Sequence, residues 1–514
     1  MVAVHTAFNQ SHENDIRAFD VEQRGIDLIP ESQRWASARA VGAMWAGSSL
    51  NVEYFVYGTL LMAFGFSFAQ AVVITVVGNL SFLLLGVASL QGPATGTTTF
   101  TIGRAAFGGR GARGVAFLNW ITMLGFETEG LILVVAALIT LSRIAGIAVD
   151  TDLKAVFIVA AVGLQAIIPY FGHATMMRVL RALIAPFALI YLAFAWFDLG
   201  HAHASFPAPA PVAWPLVTAG IAFTIALSGL GWTECGNDYS RYVRADVSPR
   251  SLVGWVFVGT ALPQVVLMIL GASTFTVMSS SAQVARWNSA NPFDALTHLP
   301  MLPSWFTTLF LVVAVMQLFA INSLDLYSSG VSLQAVGLPL RRYQAVLVDS
   351  VLAGALTAWA EFQGTFSLYM KEFVGVIIVW ITPWFTVFII DWLLRGRHYD
   401  AAELQRTDRG GLYFTGRFGV NLNAIVAFVL GMVASIIGFS KAPPPVNFPF
   451  HWMTPLSNHF GAVCAGQVSE GACPAGWYGG ADFSLLTGSI VAAVVYLGLE
   501  ALTGTVRAQR QRQR

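Results

Sequence analysis

The sequence predicts an all-α protein that crosses a lipid bilayer about twelve times. Its 514 residues are 56% hydrophobic and only 11% charged, and the mean hydropathy of +0.66 is far from that of a soluble chain. Apolar windows long enough to span the hydrocarbon lie near residues 40–64, 67–90, 115–141, 154–170, 180–198, 216–238, 251–276, 304–329, 343–360, 368–393, 416–439 and 482–503.

Basic residues are concentrated in every second connection between these windows. The rich connections carry Arg104, Arg110, Arg113, Arg178, Arg181, Arg241, Arg244, Arg250, Arg341, Arg342, Arg395, Arg397, Arg406, Arg409 and residues 507–514, whereas the others hold only Arg143, Lys154, Arg286, Lys371 and Lys441. Because arginine and lysine accumulate on the cytoplasmic side, both termini are predicted to be cytoplasmic. We expect a multi-pass protein of the plasma membrane.

Predicted helices 1 and 6 are interrupted by small and polar residues. Helix 1 contains Gly47, Ser48, Ser49 and Asn51, and the stretch from Thr218 to Arg244 contains Ser228, Gly229, Gly231, Glu234, Asn237 and Asp238. Backbone freed from a helix inside a membrane is tolerated only beside protein or a watery cavity. An alternative is that helix 6 simply ends early, with Glu234 to Arg244 in the headgroup region.

The positions of these two breaks predict the architecture. Each broken helix is the first of a set of five, and matching breaks in two halves point to an inverted repeat with its site at the bilayer midplane. We therefore expect a five-plus-five, LeuT-like core with two extra helices. The predicted divisions are a cytoplasmic tail at 1–39, the core at 40–393, a cytoplasmic loop at 394–415, helices 11 and 12 with an external loop at 416–503, and a basic tail at 504–514.

Several acids lie inside predicted helices. Glu127 and Glu129 occupy the apolar window of helix 3, where an ionised carboxylate must be protonated, paired or hydrated. Either one could carry a coupling proton, or each could make a structural hydrogen bond to a neighbouring helix. In helix 8, Asn322 and Asp325 share a face because they are three residues apart. This pair suits a planar heterocycle with donors and acceptors, or else a polar seam between helices.

Other classes of function receive no support from the composition. The net charge is +1, which gives no reason to expect a nucleic-acid partner. The three cysteines, Cys235, Cys464 and Cys473, have no metal-ligand spacing; the last two could form a disulfide or remain free thiols. No nucleophile with a partner base and no metal-spaced histidine cluster is apparent, so we predict neither an enzyme nor a cofactor.

Motifs spread over most of the chain resemble the nucleobase:cation symporter family, in its purine/cytosine permease branch. The spacing from Trp45 to Gly58 is similar to the broken first helix of the family, with Ser49 where asparagine is usual. The other motifs that carry the resemblance are Arg104 with Phe107 and Gly108; Gly231, Trp232 and the run Asp238 to Tyr242; Asn322 with Tyr327, Ser328 and Gln334; and the segment VWITPWFTVFIIDWLLRGRHYD.

The resemblance implies import of a nucleobase or related heterocycle by cation symport. It places Phe126 at the stacking position of helix 3, Met123 where some members have glutamine, and Ser228 or Gly229 at the aromatic position of helix 6. A thinner stacking platform would favour a bulkier ring, such as a vitamin precursor or substituted purine. The candidate substrate-binding residues are Phe126, Met123, Ser49, Asn51, Ser228, Gly229, Trp232, Asn322 and Asp325.

The predicted coupling ion is a proton rather than sodium. Sodium-coupled relatives of this fold use two adjacent hydroxyl side chains on helix 8, since a hard cation needs oxygens. Here the matching stretch, VVAVMQLF, contains only Gln317 as a side-chain oxygen donor. The candidate proton carriers are Glu127 and Glu129, with Asp325 behind them, and also Glu53 and Glu234. The alternatives are an amino-acid or amine carrier on the same fold and, less favoured, a membrane-embedded enzyme.

Overall fold

The computed structural model describes residues 17–202, 214–277, 291–363, 366–438 and 481–513. Cys464 and Cys473 lie outside these ranges. The helices are α1a (Ala38–Ser49), α1b (Val52–Ala63), α2 (Phe68–Thr95, in three segments), α3 (Ala112–Ile144), α4 (Thr151–Phe171), α5 (His173–Leu199), α6a (Trp214–Leu227), α6b (Gly236–Ser240), α7 (Pro249–Thr276), α8 (Ser304–Val336), α9 (Arg342–Gln363), α10 (Phe366–Leu394), α11 (Leu422–Gly438), α12 (Ser484–Thr503) and α13 (Thr505–Gln513).

These helices confirm the predicted all-α membrane fold. Within the described ranges, nine helices are long and apolar enough to cross a bilayer, and three shorter apolar helices, Val52–Ala63, Val217–Leu227 and Leu422–Gly438, accompany them. The two predicted breaks are present, between Ser49 and Val52 and between Leu227 and Gly236. Helix 6 therefore does not simply end early, because α6b resumes after the break that contains Glu234.

The helices of the core pack in two sets. α1, α2, α6a and α7 lie against one another, while α3, α4, α8 and α9 form a second set. α5 packs chiefly against α1a, and α10, α11 and α12 pack together beside the core. In chain order each set takes helices from both halves of the repeat, so α1 and α6 are neighbours of α2 and α7 and face α3 and α8.

Glycines allow the helices of the first set to approach closely. A Cβ atom added to Gly58 in α1b would overlap the carbonyl of Met268 in α7, and one added to Gly259 in α7 would overlap the backbone of Gly42 in α1a. Small residues at such crossings let two backbones pack without intervening side chains. The distance between α1 and α7 is therefore set by glycines on both helices.

Arginines from separate connections meet at one end of the bundle, which we call the arginine-rich end. Arg395 forms a buried ion pair with Asp391 at 2.7 Å and also donates to the carbonyl of Ala105. Arg104 donates to the carbonyl of Leu404 at 2.9 Å. The guanidinium of Arg342 donates to the carbonyl of Pro169 at 2.5 Å. These contacts join the connections 2–3, 4–5, 8–9 and 10–11 at the same end.

The alanine substitution Gly58→Ala should lower the melting temperature of the purified protein. The new methyl group has no room against the backbone of α7, and overpacking of this kind costs about 1–3 kcal/mol. The matched control is Gly163→Ala in α4, where an added Cβ meets no atom within 4 Å. Thermal unfolding of both variants in detergent tests whether the close approach of α1b and α7 requires glycine at position 58. Equal melting temperatures would contradict that requirement.

Candidate functional site

A side-chain cap closes the break in helix 1. The Oδ1 atom of Asn51 accepts a hydrogen bond from the backbone N–H of Glu53 at 3.1 Å, the usual role of an N-cap residue. The Nδ2 atom of Asn51 has no partner within the described ranges, and Asn51 is fully buried. Asn51 therefore holds the start of α1b with one atom and keeps one donor free. Ser49 is also buried, at the end of α1a.

The break in helix 6 is held by α2 and α7. The backbone N–H of Gly229 donates to the Oγ atom of Ser81 in α2 at 3.0 Å, and the hydroxyl of Ser228 donates to Gln264 in α7 at 3.1 Å. A Cβ atom added to Gly229 would overlap the backbone at Ser81 and Phe82. Ser228 and Gly229 thus contact α7 and α2, which belong to their own set of helices.

The aromatic ring opposite Phe126 is supplied by Trp232. The two rings are nearly parallel, with an interplanar angle of 11° and a centroid distance of 6.1 Å. Trp45 in α1a packs edge-on against Trp232 at 5.4 Å, and Phe373 packs edge-on against Phe126 at 4.9 Å. The indole of Trp232 is also hydrogen-bonded to Tyr54 in α1b. Each ring is therefore held by further aromatic residues.

The ring parallel to Phe126 thus belongs to Trp232 and not to a residue at 228 or 229; a thinner stacking platform for the substrate stays a prediction. The alignment of motifs placed Ser228 or Gly229 at the aromatic position, but the unwound segment turns so that Trp232, a few residues later, faces α3. A planar ring stacked between two others would need about 3.5 Å on each side, or about 7 Å in all.

Three carboxyl groups come together beside the break in helix 1. The hydroxyl of Tyr57 donates to the Oε1 atom of Glu129 at 2.6 Å. Glu53 lies close enough to interact electrostatically with both Glu129 and Asp325. The second carboxylate oxygen of Glu129 and the Oδ1 atom of Asp325 have no hydrogen-bond partner in the described part of the chain. The site therefore retains oxygens that a proton, a cation or a substrate donor would satisfy.

Glu127 and Glu234 are two further acids near this group. Both are fully buried, and each interacts electrostatically with Asp325. Glu127 also lies near Asp349 in α9. As the helical spacing predicts, Glu127 and Glu129 point to different neighbours. Among the described residues, no salt bridge includes any of these five core acids.

Asn322 has one atom in helix packing and one atom free. Its Nδ2 atom donates to the backbone carbonyl of Glu127 at 3.1 Å and to the side chain of Gln165 in α4 at 2.9 Å. Its Oδ1 atom has no partner within the described ranges. The amide thus joins α3, α4 and α8 while leaving an acceptor. Met123, one turn before Phe126 on α3, is fully buried.

The sequence reasoning missed Tyr54 and Tyr57. Tyr57 follows Glu53 by four residues, so the two share a face of α1b, and that spacing was a signal for a donor beside the acids. Tyr54 carried no signal of its own, because its role depends on the position of Trp232. Trp45 had been noted only as part of a motif, yet its ring touches both Trp232 and Tyr239.

The geometry agrees with what a family comparison finds. A family model described as "Permease for cytosine/purines, uracil, thiamine, allantoin" matches residues 28–462, well over half of the chain. The chain belongs to this family. It is accordingly a transporter of the nucleobase:cation symporter type, a multi-pass membrane protein and not an enzyme.

Curated relatives within the family are similar along most of their length. The putative purine-cytosine permease YxlA of Bacillus subtilis is 24% identical over 451 residues, which cover 86% of this chain and 91% of the relative. The purine-cytosine permease fcyB of Emericella nidulans is 22% identical, with 82% of each chain covered. The similarity thus extends over both halves of the core.

Solved structures confirm the family's fold. Mhp1, a nucleobase-cation-symport-1 family transporter, in a closed conformation with bromovinylhydantoin bound, matches with a TM-score of 0.72 at 16% identity, covering 94% of this chain and 96% of Mhp1. Its inward-facing conformation gives a TM-score of 0.63. A Na+-coupled sialic acid symporter gives 0.54 at 12% identity, covering 92% of this chain and 91% of that one.

Removing either ring of the parallel pair should abolish uptake while membrane expression stays near normal. Stacking contributes about 0.5–1.5 kcal/mol beyond buried area, so Phe126→Ala and Trp232→Ala should each weaken ligand binding at least 2- to 12-fold. Phe117→Ala is the control, because Phe117 lies on the same helix but is exposed. Ligand titrations followed by thermal shift measure the effect. Unchanged ligand binding by Phe126→Ala would contradict the assignment of this ring as a substrate contact.

Proposed function

We propose that this permease imports a planar, nucleobase-like heterocycle together with a proton. The proposed substrate class comprises purines, pyrimidines, hydantoins and vitamin precursors. The family description names cytosine, purines, uracil, thiamine and allantoin, the relatives are named purine-cytosine permeases, and Mhp1 holds bromovinylhydantoin. Substrate and proton would bind between the two broken helices and be carried across by alternating access. The candidate substrate contacts are the parallel rings, the free acceptor of Asn322 and the free donor of Asn51.

The observation that supports this proposal most strongly is the parallel pair Phe126 and Trp232 beside unpaired carboxyl groups. Two facing aromatic rings select a flat, polarisable ring, and polar groups at their edge select its pattern of donors and acceptors. The rings come from α3 and from the break in helix 6, while Asn51 and Glu53 come from the break in helix 1. Substrate would therefore contact elements of both packing sets at once.

A proton is favoured as the coupling ion because α8 has few side-chain oxygens at the position of a sodium site. Residues 312–319 contain no serine or threonine, and the single amide oxygen, that of Gln317, accepts a hydrogen bond from Tyr191 at 2.8 Å. A sodium ion coordinated by this amide oxygen would have to replace the hydrogen bond from Tyr191. Glu129 supports proton carriage, because it has one oxygen held by Tyr57 and one without a partner in the described residues.

The proposed orientation follows from the arginine-rich end. Arginines that meet there come from connections that the positive-inside rule assigns to the cytoplasm. With this end inside, both termini are cytoplasmic and the ion pair of Arg143 with Asp294 and that of Lys154 with Glu361 at 2.6 Å lie at the outer end. The plasma membrane is the proposed location.

One observation favours a second candidate, a carrier of a cationic amine or amino acid. The five buried acids have no arginine or lysine partner among the described residues, so a positively charged ligand would supply the missing charge. A thermal-shift screen with purines, pyrimidines, hydantoins, vitamin precursors, amines and amino acids separates the two, because only a ligand that binds the folded state raises the melting temperature. Stabilisation by amines alone would replace the heterocycle proposal.

Uptake into proteoliposomes should follow an imposed proton gradient and ignore sodium. We expect uptake to collapse when a protonophore is added and to persist when choline replaces sodium at fixed pH. Strict sodium dependence would overturn proton coupling and would indicate a site built from the backbone carbonyls of residues 47–50 with Gln317.

Glu129→Gln should separate coupling from binding. A permanently neutral side chain keeps the hydrogen bond from Tyr57 but cannot release a proton, so concentrative uptake should be lost while exchange of internal for external substrate continues. Glu127→Gln is the matched control, since Glu127 lies on the other side of α3, near Asp349. If Glu127→Gln alone uncouples uptake, the carrier is Glu127.

Asn322→Ala should weaken binding selectively. The free Oδ1 atom of Asn322 can accept only from a ligand donor, so loss of affinity should be greater for the true substrate than for an analogue whose matching N–H is replaced by C–H or N–CH3. Affinities of both ligands for both proteins are compared. Equal losses would mean that Asn322 acts only through its bonds to α3 and α4.

A further inference from the structure

The segment before helix 1 lies across the arginine-rich end of the bundle. We call residues 17–37 the N-terminal strap. Its backbone is hydrogen-bonded to three different connections: Glu22 N–H to the carbonyl of Phe171 at 2.9 Å, Ile29 N–H to that of Gly96 at 2.8 Å and Ala36 N–H to that of Tyr242 at 2.9 Å. A solvated tail would satisfy these groups with water. The strap is instead part of the folded protein.

Glu22 is the centre of these contacts. Its side chain is only 2% exposed and forms ion pairs with Arg241 at 3.4 Å and Arg342 at 3.5 Å. Its Oε1 atom accepts hydrogen bonds from the hydroxyls of Tyr242 at 2.5 Å and Tyr327 at 3.0 Å.

Further contacts keep the Glu22 carboxylate charged and in place. The Oε2 atom accepts from the backbone N–H of His173 at 2.9 Å. Burial raises the pKa of Glu22, but the charges of Arg342 and Arg241 and the Tyr242 hydroxyl outweigh it and hold the pKa below its ordinary value. Arg241 also donates to the carbonyl of Gly25. The strap thus supplies a buried carboxylate to two buried guanidinium groups.

The partners of Glu22 belong to both packing sets. Arg241 and Tyr242 directly follow α6b, which is the continuation of a broken helix. Arg342 begins α9, and Tyr327 lies in α8. In an inverted-repeat transporter one set of helices rocks against the other to open each side in turn. A single carboxylate that bonds both sets cannot keep its contacts when they separate at this end.

We propose that the N-terminal strap is a latch, locked by Glu22, that holds the arginine-rich end closed and must leave before the site opens there. This proposal rests on the alternating-access transport proposed above. In that cycle the latch would be engaged while the site faces outward or is closed, and released to let substrate enter the cytoplasm. Loss of Glu22 would favour the state that is open at the arginine-rich end.

Cys235 is a natural reporter of that opening. It lies in the break of helix 6, directly before α6b, and is fully buried. In a Cys464→Ser/Cys473→Ser background it is the sole thiol, since the chain has three cysteines. The test is the rate at which N-ethylmaleimide labels the detergent-purified protein, followed by intact mass. No substrate is needed, so this result is independent of whether a heterocycle is ever identified.

The expected result is at least tenfold faster labelling of Cys235 in Glu22→Gln than in the parent. Asp27→Asn is the matched control, because it makes the same carboxylate-to-amide change at an exposed position of the same strap, and it should label within twofold of the parent. A Glu22→Gln protein that stays monodisperse and labels no faster than Asp27→Asn would overturn the latch.

A second variant tests the proposal even if Glu22→Gln fails to fold. The hydroxyl of Tyr327 in α8 donates to the Oε1 atom of Glu22 at 3.0 Å and accepts from Arg241 at 2.6 Å. Tyr327→Phe keeps the ring and removes both bonds, so we expect faster labelling of Cys235 than in the parent. Tyr343→Phe is the control, because among the described residues the hydroxyl of Tyr343 accepts only from the exposed Arg341 at 3.1 Å. A monodisperse Tyr327→Phe protein that labels no faster than Tyr343→Phe would contradict the latch.

Discussion

The structure depends on satisfying backbone groups freed inside the membrane. Lipid offers no hydrogen-bond partner, so every N–H and C=O released by a helix break needs a partner in protein or in a hydrated cavity. The side chain of Asn51 meets this need in helix 1, and the hydroxyl of Ser81 meets it in helix 6. Helix 2 is therefore more than a neighbour of the site, because one of its hydroxyls holds the break in helix 6.

The same constraint also determines which side chains of the two breaks face the interior of the protein. The unwound stretch after Leu227 turns Trp232 toward α3 and leaves Cys235 and Glu234 in the interior. The break in helix 1 likewise brings Asn51 and Glu53 to the depth of Glu129 and Asp325. Carboxylate groups gathered in this way are costly without counter-ions. In the proposed transport cycle, the binding of a proton or cation to these groups would therefore depend on the conformation of the protein.

Much of the fold could be predicted from the sequence because hydrophobic length and arginine placement are strong, local signals. Both helix breaks were predicted from glycine and polar residues alone. Trp232 was among the candidate residues, but its position parallel to Phe126 was not predicted, because the turn between Leu227 and Gly236 decides which residue points at Phe126, and no periodicity applies to an unwound segment. Asn51 was expected as a break residue and a substrate contact, and only the structure shows that its Oδ1 atom is an N-cap.

The strap illustrates a different limit of sequence reasoning. Residues 17–37 are polar and mixed in charge, as a solvated tail would be, and their burial depends on arginines more than 200 positions away. The number of charges in a segment does not reveal whether each has a partner. Only the three-dimensional contacts distinguish Glu22, which is buried, from Asp27, which is exposed.

The proposed stacking of substrate between the two parallel rings has a consequence for selectivity. Flat faces on both sides would limit the thickness of a ligand but not its outline, so a puckered, hydrogenated ring would meet steric resistance where a flat ring does not. The outline would be limited separately, by the polar atoms at the edge of the rings. Under this proposal, substitutions of the polar residues would change the preference among flat rings and leave the discrimination against puckered rings in place.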